Sequence, residues 1–292
     1  MAEVFERFVQ RAPVAIMTRA SLEYALEPEP LDALFAANAE RQYERKLLFS
    51  TMLDLTALVV CGVHPSVHAS FKAMRKQVPV SLTAVYDKLG GVETSTTEAL
   101  VAHSAERLRP VLEAIGAAEP WLPGYRIRVL DGNHLAATER RLQVLRGCAA
   151  GPLPGQSLVV LEPELGLVAQ MVACEDGHAQ ERSLLAPIMA AALPNDVYIA
   201  DRNFCTLGFL FGLAKRQSHF IVRQHANLPI ESSGKPRRRG RTDSGDVFEQ
   251  TVTLSLDGSK MRVRRIVLRL HEPTRDGDSE ISLLTCQPTI FG

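Results

Sequence analysis

The stretch WLPGYRIRVLDGNHLAATERRLQVL, residues 121–145, decides the fold. Its apolar, β-branched run predicts a strand over Tyr125–Leu130. A polar turn at Asp131–His134 and a charged helical segment follow. A lone Asp at the end of such a strand has its backbone tied into a sheet and its carboxylate at the rim, where α/β folds keep their chemistry. The same residue also suits a plain turn or a helix N-cap, with Asp131-Gly132 reversing the chain.

Downstream, a Gly- and Pro-rich loop at Gly147–Gln156 leads to two strands, Ser157–Glu162 and Leu167–Cys174, joined by a turn at Pro163–Gly166. Asp176–His178 turns the chain again. Glu181–Leu193 is an apolar helix, Val197–Ala200 a short buried strand, Thr206–Gln217 a helix and His219–Arg223 another strand. This order predicts an α/β fold, an α+β mixed sheet with helices packed on it. Residues 224–280 differ in character. Ser232–Gly245 is a polar loop with a basic run at Lys235–Arg241. Val247–Leu256 and Lys260–Leu270 are strands around a hairpin turn at Asp257-Gly258, and Ile281–Cys286 is a last strand.

Upstream, residues 1–118 form a helical domain. Leu31–Ala39 is a short amphipathic piece. Arg41–Cys61 has helical spacing at Leu47, Leu48, Met52, Leu55 and Val59, and Gly62 stops it. Pro65 opens a helix with Val67, Phe71 and Met74 on its apolar side. Leu82–Leu89 is a third. Ser95 with Glu98 is a capping-box pattern that opens Thr96–Ile115, with Pro110 expected to kink or split it. The short helices of Phe71–Leu108 suit either a helix-turn-helix-like DNA reader, with Lys72, Arg75, Lys76 and Lys88 as its cations, or a helical support domain. The chain thus divides into residues 1–118 and residues 119–292.

Lysine plus arginine equal aspartate plus glutamate at 33 each, so net charge is silent about partners. Its distribution is not: Lys215–Arg269 holds 13 basic and 5 acidic residues. The five Cys (61, 148, 174, 205, 286) form no CxxC and no metal-like spacing, as expected of reduced thiols in a cytoplasmic protein. No signal peptide and no apolar run of the ~20 residues a membrane helix needs are visible. GxSxG, P-loop and dinucleotide glycine patterns are absent.

Ala200-Asp201-Arg202-Asn203-Phe204 repeats the arrangement of Leu130-Asp131-Gly132-Asn133-His134. In each, an apolar strand ends in one Asp, with Asn two residues later. If the two strands are neighbours, their carboxylates converge and repel unless a cation lies between them. A hard divalent ion with oxygen ligands, Mg²⁺ or Mn²⁺, answers that need and serves phosphoryl transfer. Two unrelated strand-end Asp residues are the plain alternative. His134 is either a metal or phosphate contact or a solvated turn histidine. Asn133 and Asn203 either orient water or DNA or shape turns. His178 and Cys174 lack a partner pair. Lys235, Arg237, Arg238, Arg239 and Arg241 either clamp DNA phosphates, with steep salt dependence, or form a solvated loop.

Residues 125–292 resemble bacterial insertion-sequence transposases of the DDE class, in the branch with a Tyr-Arg-Glu-Lys signature (the insertion sequence four family). The resemblance rests on DGNHL (Asp131–Leu135), DVYIADRNF (Asp196–Phe204), the arginine-containing strand Phe220–Arg223, and a basic, β-rich insertion before SLLTCQP (Ser282–Pro288). It implies an RNase H-like core with an insertion at about 224–280. It also implies Asp131 and Asp201 as the first two metal-binding carboxylates and Arg202 near DNA phosphate. The implied partners are terminal-repeat and target DNA, with a homodimer assembled on them. One departure stands out. The family's third carboxylate lies in a signature that begins with Tyr, and the five Tyr here (24, 43, 86, 125, 198) all precede Asp201. The expectation is a C-terminally truncated or split transposase, inactive or nearly so alone. Two further readings stay open: a DNA-binding regulator without chemistry, and a metal-dependent nuclease of the same fold with a third ligand from elsewhere.

Overall fold

The alternating runs downstream of residue 124 join one nine-stranded sheet in the computed structural model, which describes residue 6 and residues 9–42, 45–116, 118–135, 155–176 and 179–286. The strands are β1 (Arg126–Leu135), β2 (Gly155–Glu162), β3 (Leu167–Cys174), β4 (Asp196–Ala200), β5 (His219–Arg223), β6 (Glu231–Thr242), β7 (Gly245–Leu256), β8 (Ser259–Leu270) and β9 (Glu280–Thr285). Their order is β3-β2-β1-β4-β5-β9-β8-β7-β6. β1, β4 and β5 run parallel, and the other pairings are antiparallel. The fold is mixed α/β. Residues 224–280 extend the same sheet by three strands.

Two helices, α7 (Leu185–Ala191) and α8 (Leu207–Lys215), pack on one face of this sheet. Their Leu185, Ile188, Phe209, Leu210 and Leu213 meet Leu130, Tyr198, Phe220, Val222, Val252, Leu254 and Leu284, all buried. Burying such side chains contributes about 1.5–3 kcal/mol each. Because side chains alternate along a strand, Val129, Asp131, Ile199, Asp201, Ile221, Arg223 and Leu283 point to the opposite face. The apolar members of that set are only half-buried.

An ion cluster sits beneath the core. Asp196 is 1% exposed; its Oδ1 accepts from Arg126 Nε at 2.6 Å and its Oδ2 from Leu193 N at 2.9 Å. Arg128, also buried, pairs with Glu162, and its Nε lies 3.8 Å from Asp196. Burial lowers the Arg128 guanidinium pKa and raises that of the Tyr198 hydroxyl to about 12. Desolvated charges persist only when paired this way.

The described residues divide into two compact units between residues 117 and 118. The first is helical: α1 (Pro13–Ala25), α2 (Pro28–Asn38), α3 (Phe49–Val60), α4 (Val67–Ala73), α5 (Leu82–Gly90) and α6 (Thr94–Ile115). Leu31, Phe35, Phe49 and Met52 form one small core, with Phe35 and Phe49 stacked at 4.9 Å. Leu47, Leu55, Phe71, Val78 and Val85 form another. Asp32 accepts from Ser50 N and Ser50 Oγ, satisfying a backbone donor at the start of α3.

Several expectations change. Asp131–His134 is strand, not turn, because β2 pairs with β1 from Val129↔Leu161 to Leu135↔Gly155. The helical segment expected after it, residues 147–154 of the Gly/Pro loop, and residues 177–178 of the Asp176–His178 turn lie outside the described residues. Ser232–Gly245 is not a loop. Its basic run forms β6, paired to β7, with register shifts at Ser233/Arg237 and Arg238/Gly240. The first shift accommodates Pro236, which has no N–H to give a ladder. The helix expected from Arg41 begins at Phe49. The Ser95 capping box does not form: α6 starts at Thr94, and Ser95 Oγ donates to Asn38 O. α6 runs through Pro110 as one element. Glu181–Leu193 divides into a 3-10 turn, Glu181–Leu184, and α7.

Candidate functional site

The β1–β4 ladder ends at Leu130↔Ala200, so Asp131 and Asp201 are the first residues beyond it on adjacent parallel strands. Leu130 and Ala200 pack into the helix-covered core, which turns both carboxylates to the other face. Neighbouring strands are about 4.8 Å apart, and that sets the spacing of the two backbones. Asp131 Oδ1 accepts from Gly132 N at 2.9 Å. Asp201 Oδ1 accepts from Asn203 N at 2.8 Å and caps the 3-10 turn Arg202–Phe204. Phe204, 1% exposed, plugs that turn into the core and fixes where Asp201 stands. Each carboxylate thus has one oxygen tied to its own backbone, and both residues are exposed.

The charged groups around these two carboxylates are few. Arg202 is exposed beside Asp201 and has no ion-pair partner among the described residues. Ala200↔Val222 places Arg223 next to Asp201 in the following strand, on the same face. Arg223 is already paired: its Nη2 donates to Asp278 Oδ2 at 2.6 Å. Glu181 approaches β1 from the helix side, close enough that a Cβ on Gly132 would overlap its carboxylate. Gly132 alternates with Asp131, so Glu181 and Asp131 lie on opposite faces. Among the described residues no group of three or more His, Cys, Asp or Glu is gathered to hold a metal. Asn133 is exposed on the Asp131 face, and Asn203 spends its backbone N–H on Asp201. Nothing is described of the His134 side chain or of His178.

The basic strand β6 is an edge of the sheet. Arg238 pairs with Asp246 at 2.7 Å and Arg239 with Glu249 at 2.9 Å. Glu249 also takes Arg264 at 2.7 Å, and that hydrogen bond is the main reason its pKa lies below the ordinary glutamate value. Lys235, Arg237 and Arg241 are exposed and lack an ion-pair partner among the described residues. Cations, a proline and register shifts on an edge strand also deter edge-to-edge aggregation, which supplies a second physical reason for this composition.

In the helical unit, two of the four cations named for DNA reading serve the fold. Lys88 Nζ donates to Leu47 O at 2.9 Å and lies 4.5 Å over the Phe35 ring. Arg75 stacks on Phe71 at 5.5 Å and donates to Val78 O at 2.9 Å. Lys72 and Lys76 remain exposed.

Sequence reasoning had not singled out Arg223 or Glu181 as site residues. Arg223 carried a usable signal, since it ends its strand as Asp201 follows its own. Glu181 carried none, because its approach to Gly132 depends on where the 3-10 turn docks.

No protein-family model matches the chain, and no curated protein matches it. Among solved structures, a piggyBac transposase in a synaptic complex with hairpin DNA aligns over 92% of this chain, at 10% identity and a TM-score of 0.34. The chain covers 60% of that transposase. A likeness this slight carries no argument about chemistry. No helix among the described residues is long and apolar enough to cross a membrane.

Proposed function

We propose that this chain is a DNA-processing protein of the DDE transposase type, built on an RNase H-like core, in which Asp131 and Asp201 hold Mg²⁺ or Mn²⁺. The observation that carries the reading is the register. Two exposed carboxylates are the first residues beyond one parallel ladder, with no lysine or arginine described in an ion pair with either. Oxygen-only ligands on a rigid sheet suit a hard divalent ion, which when bound neutralises the developing charge of phosphoryl transfer. The chain's own residues orient it. Gly132 N and Asn203 N fix one oxygen of each carboxylate, and the sheet fixes their separation. Arg202, exposed beside Asp201, would meet a phosphate there, and Lys235, Arg237 and Arg241 would meet backbone phosphates elsewhere on the DNA.

With two carboxylates the ion is held weakly, and activity of the isolated chain is expected to be very low. Manganese titration followed by electron paramagnetic resonance tests the site directly. Binding that is lost in both Asp131→Asn and Asp201→Asn supports the pair; equal binding in wild type and both variants refutes it. A second reading, a DNA-binding regulator without chemistry, is favoured by Lys235, Arg237 and Arg241 of β6, exposed and without an ion-pair partner among the described residues. It predicts salt-dependent DNA binding that is insensitive to Mn²⁺ and to both substitutions.

A further inference from the structure

The geometry points to Arg223 as a second phosphate-binding cation of the site, beside Arg202, with Asp278 as the counter-ion that holds it ready for a nucleic-acid phosphodiester. The inference rests on the carboxylate reading above and adds a residue to it. Asp131, Asp201 and Arg223 each follow the last paired residue of one row, Leu130↔Ala200↔Val222, and strand alternation turns all three to the opposite face of the sheet. From Arg223 the pairing continues through Leu283 and Ile266 to Glu249. A guanidinium in the strand beside an exposed Asp would ordinarily pair with it. Here it pairs instead with Asp278, and Asp201 has no ion-pair partner among the described residues.

The arrangement of Asp278 is local and specific. A turn closed by Gly277 N to Thr274 O, Thr274 N to Asp278 O and Asp278 N to Thr274 Oγ1 presents the carboxylate to Arg223. Both side chains keep about a third of their surface in water, 34% and 38%. The pair is therefore open to exchange. A phosphate that arrives over Asp131 and Asp201 meets a planar guanidinium one strand away, whose fork matches two phosphate oxygens. Arg223 then trades one anion for another, at no cost in buried unpaired charge. A purely structural pin makes the opposite prediction: both partners would matter to stability and neither to phosphate.

The test uses the full chain and a fluorescent double-stranded oligonucleotide at low salt, with EDTA and with Mn²⁺. Arg223→Gln is expected to weaken oligonucleotide binding about ten-fold, the scale of one lost charge-assisted contact. Asp278→Asn, which frees the arginine, is expected to strengthen it several-fold. Effects of opposite sign support the proposal. Equal destabilisation of both variants with unchanged oligonucleotide affinity overturns it. If Arg223→Gln fails to fold, the sign of the Asp278→Asn effect decides alone. Inorganic phosphate is the control ligand: Asp278→Asn strengthening phosphate but not oligonucleotide would overturn the nucleic-acid assignment. The EDTA arm separates the two readings. Equal Mn²⁺ binding in wild type, Asp131→Asn and Asp201→Asn, together with opposite-signed oligonucleotide effects in EDTA, would sink the metal site and leave Arg223 standing.

Discussion

Asp196 opens β4 and Asp201 follows its last residue, and replacing each by Asn should give opposite kinds of result. Asp196 is 1% exposed between Arg126 and Arg128. In Asp196→Asn the amide NH₂ must face either Arg126 Nε or Leu193 N, both donors, so one hydrogen bond is lost in either rotamer. The charge is lost as well, leaving two arginines against Glu162. Breaking a buried pair costs about 3–5 kcal/mol. The Arg126 side chain is 35% exposed and can regain water, which places the expected loss near the low end, about 3 kcal/mol. For a unit of this size that corresponds to a fall in Tm of about 6–12 °C. The single tryptophan reports on this unit, since Trp121 N donates to Glu164 Oε1 beside β1. Urea unfolding followed by its fluorescence isolates the sheet from the helical unit. Asp201→Asn, by contrast, removes one of two neighbouring exposed charges and should shift stability by no more than about 0.5 kcal/mol. A loss under about 1 kcal/mol in Asp196→Asn would refute the reading of the buried cluster. An equal loss in Asp201→Asn would show that Asp201 is structural.

Other consequences can be measured on the same material. Glu249 has a lowered folded pKa, so its contribution to stability is present above the ordinary glutamate range and is lost as pH falls through the lowered value; Glu249→Gln should flatten the acid side of the stability profile, and an unchanged profile would refute the Arg264–Glu249 coupling. Gly245→Ala should cost about 1–3 kcal/mol, because its Cβ would overlap the Arg269 carbonyl, a backbone atom of the β7–β8 ladder; the urea midpoint gives the answer. If β6 meets DNA, neutralising Lys235, Arg237 or Arg241 should each lower the log-log salt slope of binding by about one. Arg238→Gln and Arg239→Gln should lower it less, since those side chains already serve Asp246 and Glu249, and a uniform effect of all five would contradict that division.

Much of the sheet was legible because its strands carry their own signals. His219–Arg223 coincides with β5, and Asp257-Gly258 turns the β7–β8 hairpin with both residues at positive φ. The misses share one cause, which is partner geometry. Asp131–His134 has the composition of a turn, yet β2 supplies a ladder that keeps it extended. Lys235–Arg241 has the composition of a solvated loop, yet β7 supplies its hydrogen bonds. Local propensity cannot see a pairing made by residues elsewhere in the chain. The site divides along the same line. Asp131 and Asp201 were visible as strand-end acids, while their adjacency needed the register. The motif DVYIAD holds two aspartates of the same chemical type, and only burial separates the structural Asp196 from the exposed Asp201.

The alternation that buries the core also decides where chemistry can occur. Leu130, Ala200 and Val222 form one row beneath the helices. The next residue on each strand, Asp131, Asp201 and Arg223, must therefore point away from them. A one-residue slip of β4 would carry Asp201 into the helix-covered face and expose Tyr198, so the core's demand for register protects the geometry of the charged row. Glu181 illustrates the same constraint from the other side. It reaches β1 only where Gly132 offers no side chain, and the sheet itself stands between its carboxylate and Asp131. If the proposed metal binds, a third ligand on the Asp131 face must come from an element that lies over that face, where Val129, Ile199, Ile221 and Leu283 are only half-buried. Those half-buried residues and the two exposed carboxylates belong to one surface, so whatever covers the first also sets the charge around the second.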